Sequence, residues 1–129
     1  MFTAEHIKNA HSKVKSGADF PMYIKEIKAM GVTRYETFVK DGRIDFFGAD
    51  DHCVQIPEKY NSITIADHAN TEGFKSGLLD HQQGKTDYPT FIAMCANTGI
   101  DKWKICMNTM TCTYFDKSGN IVLEEKIPQ

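Results

Sequence analysis

The sequence has no C-x-x-C pair and no H-x-x-x-H pair, the close ligand spacings that a zinc site requires. Its four cysteines, Cys53, Cys95, Cys106 and Cys112, are irregularly placed, which argues against a disulfide framework and for reduced thiols. No metal site is expected. No apolar run approaches the roughly 20 residues that cross a bilayer. Met1-Phe2-Thr3-Ala4-Glu5-His6 also lacks the basic, apolar, small-residue order of a secretory signal, so a cytoplasmic location without a membrane partner is the expectation. An excess of one charge is missing too. Fifteen Lys and Arg against seventeen Asp and Glu leave a formal net charge of -2, so nucleic acid is not an expected partner. No cofactor is expected either. Gly84-Lys85-Thr86 reads like the end of a phosphate loop, but the glycine required five positions upstream is Leu79.

What is there suffices for a core. The 129 residues are 41% hydrophobic and 25% charged, ordinary globular usage, and predict a single domain over 1–129. Thr3 suits a helix N-cap, and Ile7, Ala10, His11 and Val14 recur at helical spacing until Ser16-Gly17. Asp19 suits the cap of a second helix with Pro21 in its first turn, and Tyr23, Ile24 and Ile27 form its stripe before Gly31. Period two then takes over, predicting strands over 32–39, 44–47 and 53–56. Asp41-Gly42 between the first two signals a two-residue hairpin turn, with Val39 opposite Ile44 and Thr37 opposite Phe46.

The second half repeats the first. A constant offset of 68 positions carries Asp19 to Asp87, Pro21 to Pro89, Ile24 to Ile92, Gly31 to Gly99 and Phe47 to Phe115, with no gap. It predicts helices over 71–83 and 87–98 and strands over 103–107, 111–115 and 121–126. Residues 57–70 join the units, and Ser62-Ile63-Thr64-Ile65 suggests one more short strand. The expected fold is α+β. Two tandem helix-helix-strand-strand-strand repeats, about 3–56 and 71–124, form an antiparallel sheet with helices on one face, related by a pseudo-twofold axis. In the second hairpin the repeat sets Met107 opposite Cys112, whereas a three-residue loop sets Cys106 opposite Cys112 as a redox pair.

Strand parity places Tyr35, Thr37, Val39, Ile44 and Phe46 on the core face. Arg34, Glu36, Phe38, Arg43, Asp45 and Phe47 then share the helix-free face with Lys102 and Lys104. Solvated strand charges are the plain reading, and a ligand-binding or homodimer face is the sharper one. Glu36, flanked by Tyr35 and near Phe38, is a candidate for recognising a cation or acting as a base. In the polar stretch from His81 to Pro89, His81 and Asp87 are candidates for an acid–base pair. The plain alternative is helix punctuation, Gly84 ending one helix and Asp87 capping the next. His11, on an apolar helix face, is expected to be a hydrogen-bonded core residue.

Four strings carry a resemblance: Ala10-His11-Ser12-Lys13-Val14-Lys15-Ser16-Gly17-Ala18-Asp19-Phe20-Pro21, Gly31-Val32-Thr33-Arg34-Tyr35-Glu36-Thr37-Phe38-Val39, His81-Gln82-Gln83-Gly84-Lys85-Thr86-Asp87-Tyr88 and Met110-Thr111-Cys112-Thr113-Tyr114. With them the chain resembles, over essentially its whole length, the small bacterial YbcV-like family, whose members are often labelled "phage envelope protein". The resemblance implies no catalytic residue, substrate or cofactor. The functional expectation is a non-catalytic cytoplasmic module that binds a small ligand or a protein, at the groove between repeats or on the helix-free face. Tyr35, Glu36, Phe38, His81 and Asp87 are its candidate residues. The alternatives are a small hydrolase or isomerase using Glu36, His81 or Asp87, and a phage-derived structural or accessory protein.

Overall fold

A computed structural model describes residues 1–14 and 19–127. Helix α1 spans Ala4–His11, capped as the sequence suggests: Thr3 Oγ1 accepts from the His6 N–H, and His6 Nδ1 accepts from the Thr3 N–H, both at 3.2 Å. It stops at His11, short of the expected Ser16-Gly17, which lie outside the described residues. His11 is exposed there rather than a core residue, because it is the last residue of α1 and stands at the rim of the core. Helix α2 spans Phe20–Ala29, with Pro21 in its first turn, and Gly31 follows at φ 107°, a conformation that glycine adopts without penalty.

Strands β1 (Val32–Phe38), β2 (Ile44–Gly48) and β3 (Cys53–Ile56) follow, and the second half supplies α3 (Thr71–Gln82), α4 (Tyr88–Asn97), β4 (Lys102–Cys106), β5 (Thr111–Phe115) and β6 (Ile121–Lys126). The first hairpin differs from expectation. Tyr35 opposes Phe46 and Thr37 opposes Ile44, two residues away from the predicted register. The strands close at Phe38 and Arg43, where the Phe38 N–H donates to the Arg43 carbonyl at 2.9 Å, so the loop holds four residues rather than two. Val39 is drawn elsewhere: its N–H donates to the Asp101 carbonyl at 3.0 Å and its carbonyl accepts from the Tyr60 hydroxyl at 2.6 Å. A slip of two preserves side-chain parity, which is why the predicted core face still holds.

The second hairpin has the same register moved by 68: Trp103 opposes Tyr114 and Ile105 opposes Cys112. Neither predicted alternative is realised. Cys106 opposes Thr111, on the other face from Cys112, and all four thiols are free. The linker 57–70 forms no strand. Its backbone is tied instead by the Ile63 N–H to Lys40 and the Ala66 N–H to Ala96, at 2.8 and 2.9 Å.

All six strands form one antiparallel sheet in the order β3-β2-β1-β4-β5-β6. At its centre β1 pairs with β4, with Glu36 opposite Lys104, Arg34 opposite Cys106 and Phe38 opposite Lys102. Glu36 and Lys104 are the same position in the two repeats, so the pseudo-twofold passes between them. Tyr35, Thr37, Phe46, Trp103, Ile105 and Tyr114 are buried on one face of the sheet and join Ile24, Ile27, Phe74 and Ile92 of the helices in the core. The repeat departs from itself at its last strand. Phe115 opposes Ile121 as Phe47 opposes Cys53, but Tyr114 opposes Leu123, so β6 carries a one-residue bulge at Val122 that β3 lacks.

Candidate functional site

The helix-free face is built by parity alone, and its charges are largely satisfied within the sheet. Arg34 lies over the Phe47 ring at 4.0 Å and Lys102 lies 5.3 Å from the Phe115 ring, the same cation–aromatic contact in each repeat. Arg43 covers Phe38 at 4.2 Å, and its Nε lies 3.5 Å from Asp45 Oδ1. Lys102 Nζ donates to Glu36 Oε1 at 2.9 Å, with the two side chains 30% and 20% exposed. Glu36 therefore meets a cation of its own sheet. Phe38 shares this face, whereas Tyr35 points through the sheet into the core, 4% exposed and 4.9 Å from the Phe46 ring. Burial pushes its hydroxyl far above the usual tyrosine range, so Tyr35 stays neutral at working pH.

His81 and Asp87 lie on the helix side, where the α3–α4 connection turns. His81 Nδ1 meets Thr86, 3.2 Å from the carbonyl and 3.1 Å from the hydroxyl, and its ring stacks on Phe91 at 4.2 Å. Burial lowers the His81 imidazole below its ordinary range. Asp87 Oδ1 accepts from the Thr90 N–H at 2.9 Å as the N-cap of α4, and the Thr90 side chain first, then this N–H, hold its carboxyl below the usual range. Gly84 ends the preceding helix at φ 77°. Asp87 thus caps a helix while His81 ties the connection to Thr86, and both lie on the helix side of the sheet, away from Glu36 and Phe38.

A cavity of about 260 Å³ opens inside the first repeat, between α1, the start of α2 and the β2–β3 edge. Its buried walls are Ile7, Tyr23, Ile44, Phe46 and Ile56, and its exposed mouth carries Lys8, His11, Ser12 and Lys59. No carboxylate lines it. Among the described residues none of Lys8, His11 and Lys59 has an acidic group within ion-pair distance. Burial first, and then the charge of Lys8, press the Lys59 ammonium below its ordinary range. Burial and Lys59 do the same to His11. The space exists because α1 ends at His11 and turns only Ile7 and Ala10 inward.

A family model described as a protein of unknown function, DUF1398, matches residues 8–126. The chain belongs to the DUF1398 family. No curated protein matches it. The DUF1398 match spans both hairpins, the linker and every residue of the cavity except Ile7. Among the described residues of this DUF1398 chain, no three His, Cys, Asp or Glu side chains are grouped to hold a metal ion, and no helix is long and apolar enough to cross a membrane. The cavity residues were missed by sequence reasoning, which followed the charges of the strands. A signal was present in the repeat itself, since the offset of 68 turns Lys8, His11 and Lys59 into Ser76, Leu79 and Ile127. The cationic mouth is peculiar to one copy.

Proposed function

We propose that this protein is a non-catalytic cytoplasmic module, one domain with two repeats, that binds a small molecule in the cavity of its first repeat. The observation that carries this reading is the open apolar cavity itself, about 260 Å³ with buried aliphatic and aromatic walls and a polar mouth. An apolar cavity of roughly 150 Å³ already accepts a benzene ring, so this one suits a single substituted ring or a short branched chain. For an enzymatic reading using Glu36, His81 or Asp87, each of the three is already engaged, Glu36 by Lys102, His81 by Thr86 and Asp87 by the Thr90 N–H. A structural role in a phage particle, the reading that the YbcV-like resemblance suggests, would call for a broad bare apolar face. On the helix-free face each phenylalanine is already covered by a cation.

Methyl-resolved NMR with the neutral probe 4-ethylbenzamide tests this. Shifts at Ile7, Ile44 and Ile56 are expected, and Ile7→Phe, which fills the space, removes them. Shifts confined to residues elsewhere, or none at millimolar probe, reject the reading.

A further inference from the structure

The cavity has a second property besides its apolar walls. Three basic side chains, Lys8, His11 and Lys59, stand at its mouth with no acidic partner among the described residues. Several other lysines do have one: Lys13 pairs with Glu26, Lys102 with Glu36 and Lys117 with Asp67, each at 2.9 Å. The basic groups around this one opening repel one another, a contribution that comes second to burial in lowering the affinity of Lys59 and His11 for protons. An anion seated between them removes the repulsion and gains charge-assisted hydrogen bonds from two ammonium groups.

We infer that the first repeat binds a small organic carboxylate, with its hydrocarbon body against Ile7, Ile44, Phe46 and Ile56 and its carboxylate at the mouth between Lys8 and Lys59. The inference rests on the cavity being a ligand site and adds the chemical class of the ligand. Volume limits the body to about one ring with a short substituent. Ser12 at the mouth and Tyr23 in the wall supply neutral hydrogen-bonding groups to the same cavity. Free inorganic anions fit the charge but leave the apolar walls unused, so the class is an amphipathic acid.

The test compares 4-ethylbenzoate with 4-ethylbenzamide, equal in shape and different in charge, by calorimetric titration of the full chain at pH 7.5 and low salt. The benzoate is expected to bind about tenfold more tightly, inside the ceiling set by two exposed ion pairs that each contribute up to roughly a factor of five. Raising the salt to 0.5 M reduces that ratio by screening. Lys8→Gln with Lys59→Gln brings it close to one, while Lys85→Gln, in the second repeat, leaves it unchanged. Equal binding of the two probes to the wild-type protein overturns the carboxylate inference and leaves the cavity reading standing. Failure of both to bind overturns the two together. A tenfold preference that survives the double substitution places the anion elsewhere and also overturns the inference.

Discussion

Helix α1 buries Ile7 and Ala10, and helix α3, its counterpart, buries Phe74 and Leu78. Helix α1 has 8 residues and ends at His11, edge-on to Tyr23 at 5.4 Å, whereas α3 has 12 and carries a further turn that stacks His81 on Phe91 at 4.2 Å. Tyr23 and Phe91 are the same position in the two repeats. Phe74 meets Tyr114 at 4.7 Å, and Gln82 of the extra turn donates to Glu125 Oε1 at 3.1 Å. Hairpins of the same register thus carry a packed aromatic column in one half and an open cavity in the other. The hairpin registers show how little the main chain contributes to the difference. Side-chain size and one helical turn decide whether the space under the helices is filled.

The comparison can be broken most severely at Phe74. Phe74→Ala empties the second column and is expected to cost about 3–5 kcal/mol in urea unfolding. Ile7→Ala, beside space already open, should fall near the lower end of the roughly 2–5 kcal/mol span for such truncations. Equal losses would mean that the two halves are packed alike. Next in size is Gly42→Ala. Its φ of 80° disfavours a side chain, and an added Cβ would stand 2.8 Å from the Tyr60 ring, so a loss of about 1–3 kcal/mol is expected. Gly84→Ala, with φ 77° and nothing within 4 Å, isolates the backbone part and should cost about 1 kcal/mol. Smaller again is Ile7→Phe, which borrows the aromatic solution of the second repeat. It should change the unfolding free energy by less than about 1.5 kcal/mol while abolishing probe binding.

The smallest effect is in pH. His81 holds a lowered proton affinity in the folded protein, so below its unfolded value near 6.5 the unfolded chain binds more protons than the folded one. Its contribution is complete above pH 6.5 and is lost progressively as the pH falls through the lowered folded value. His11 shifts in the same direction, by burial and by Lys59. The urea midpoint measured from pH 7.5 to 5 should fall, and His81→Phe should flatten part of that slope. A midpoint that rises on acidification would assign the imidazole a charged partner instead.

Much of the fold was legible because its determinants are local. Thr3, Pro21 and Pro89 mark helix starts, Gly31 and Gly84 mark ends, and alternation sets the faces of β1, β2, β4 and β5. The turn at Asp41-Gly42 was misjudged because Val39 is held by Asp101 and Tyr60, contacts that span 62 and 21 residues and leave no trace in the local pattern. Helix α3 begins at Thr71 as the offset predicts, and Asn70 caps it, accepting from the Gly73 N–H at 3.0 Å. The cavity was illegible for another reason. It depends on volumes summed over three elements and on where α1 stops, and its charged mouth unites Lys8 and Lys59 across the first repeat.

One position links the halves in a way neither shows alone. Where β1 meets β4, the residue on the pseudo-twofold is Glu36 from one repeat and Lys104 from the other. Two identical chains meeting about a true twofold would have to set that residue against itself, like charge opposite like charge at the roughly 5 Å spacing of a cross-strand pair. A tandem chain escapes this constraint, because its two copies of the position can differ in sign. The centre of the sheet is then a place where identity between the repeats would be a defect. Restoring symmetry there, by Lys104→Glu, would set two carboxylates face to face and weaken the seam by about 1 kcal/mol.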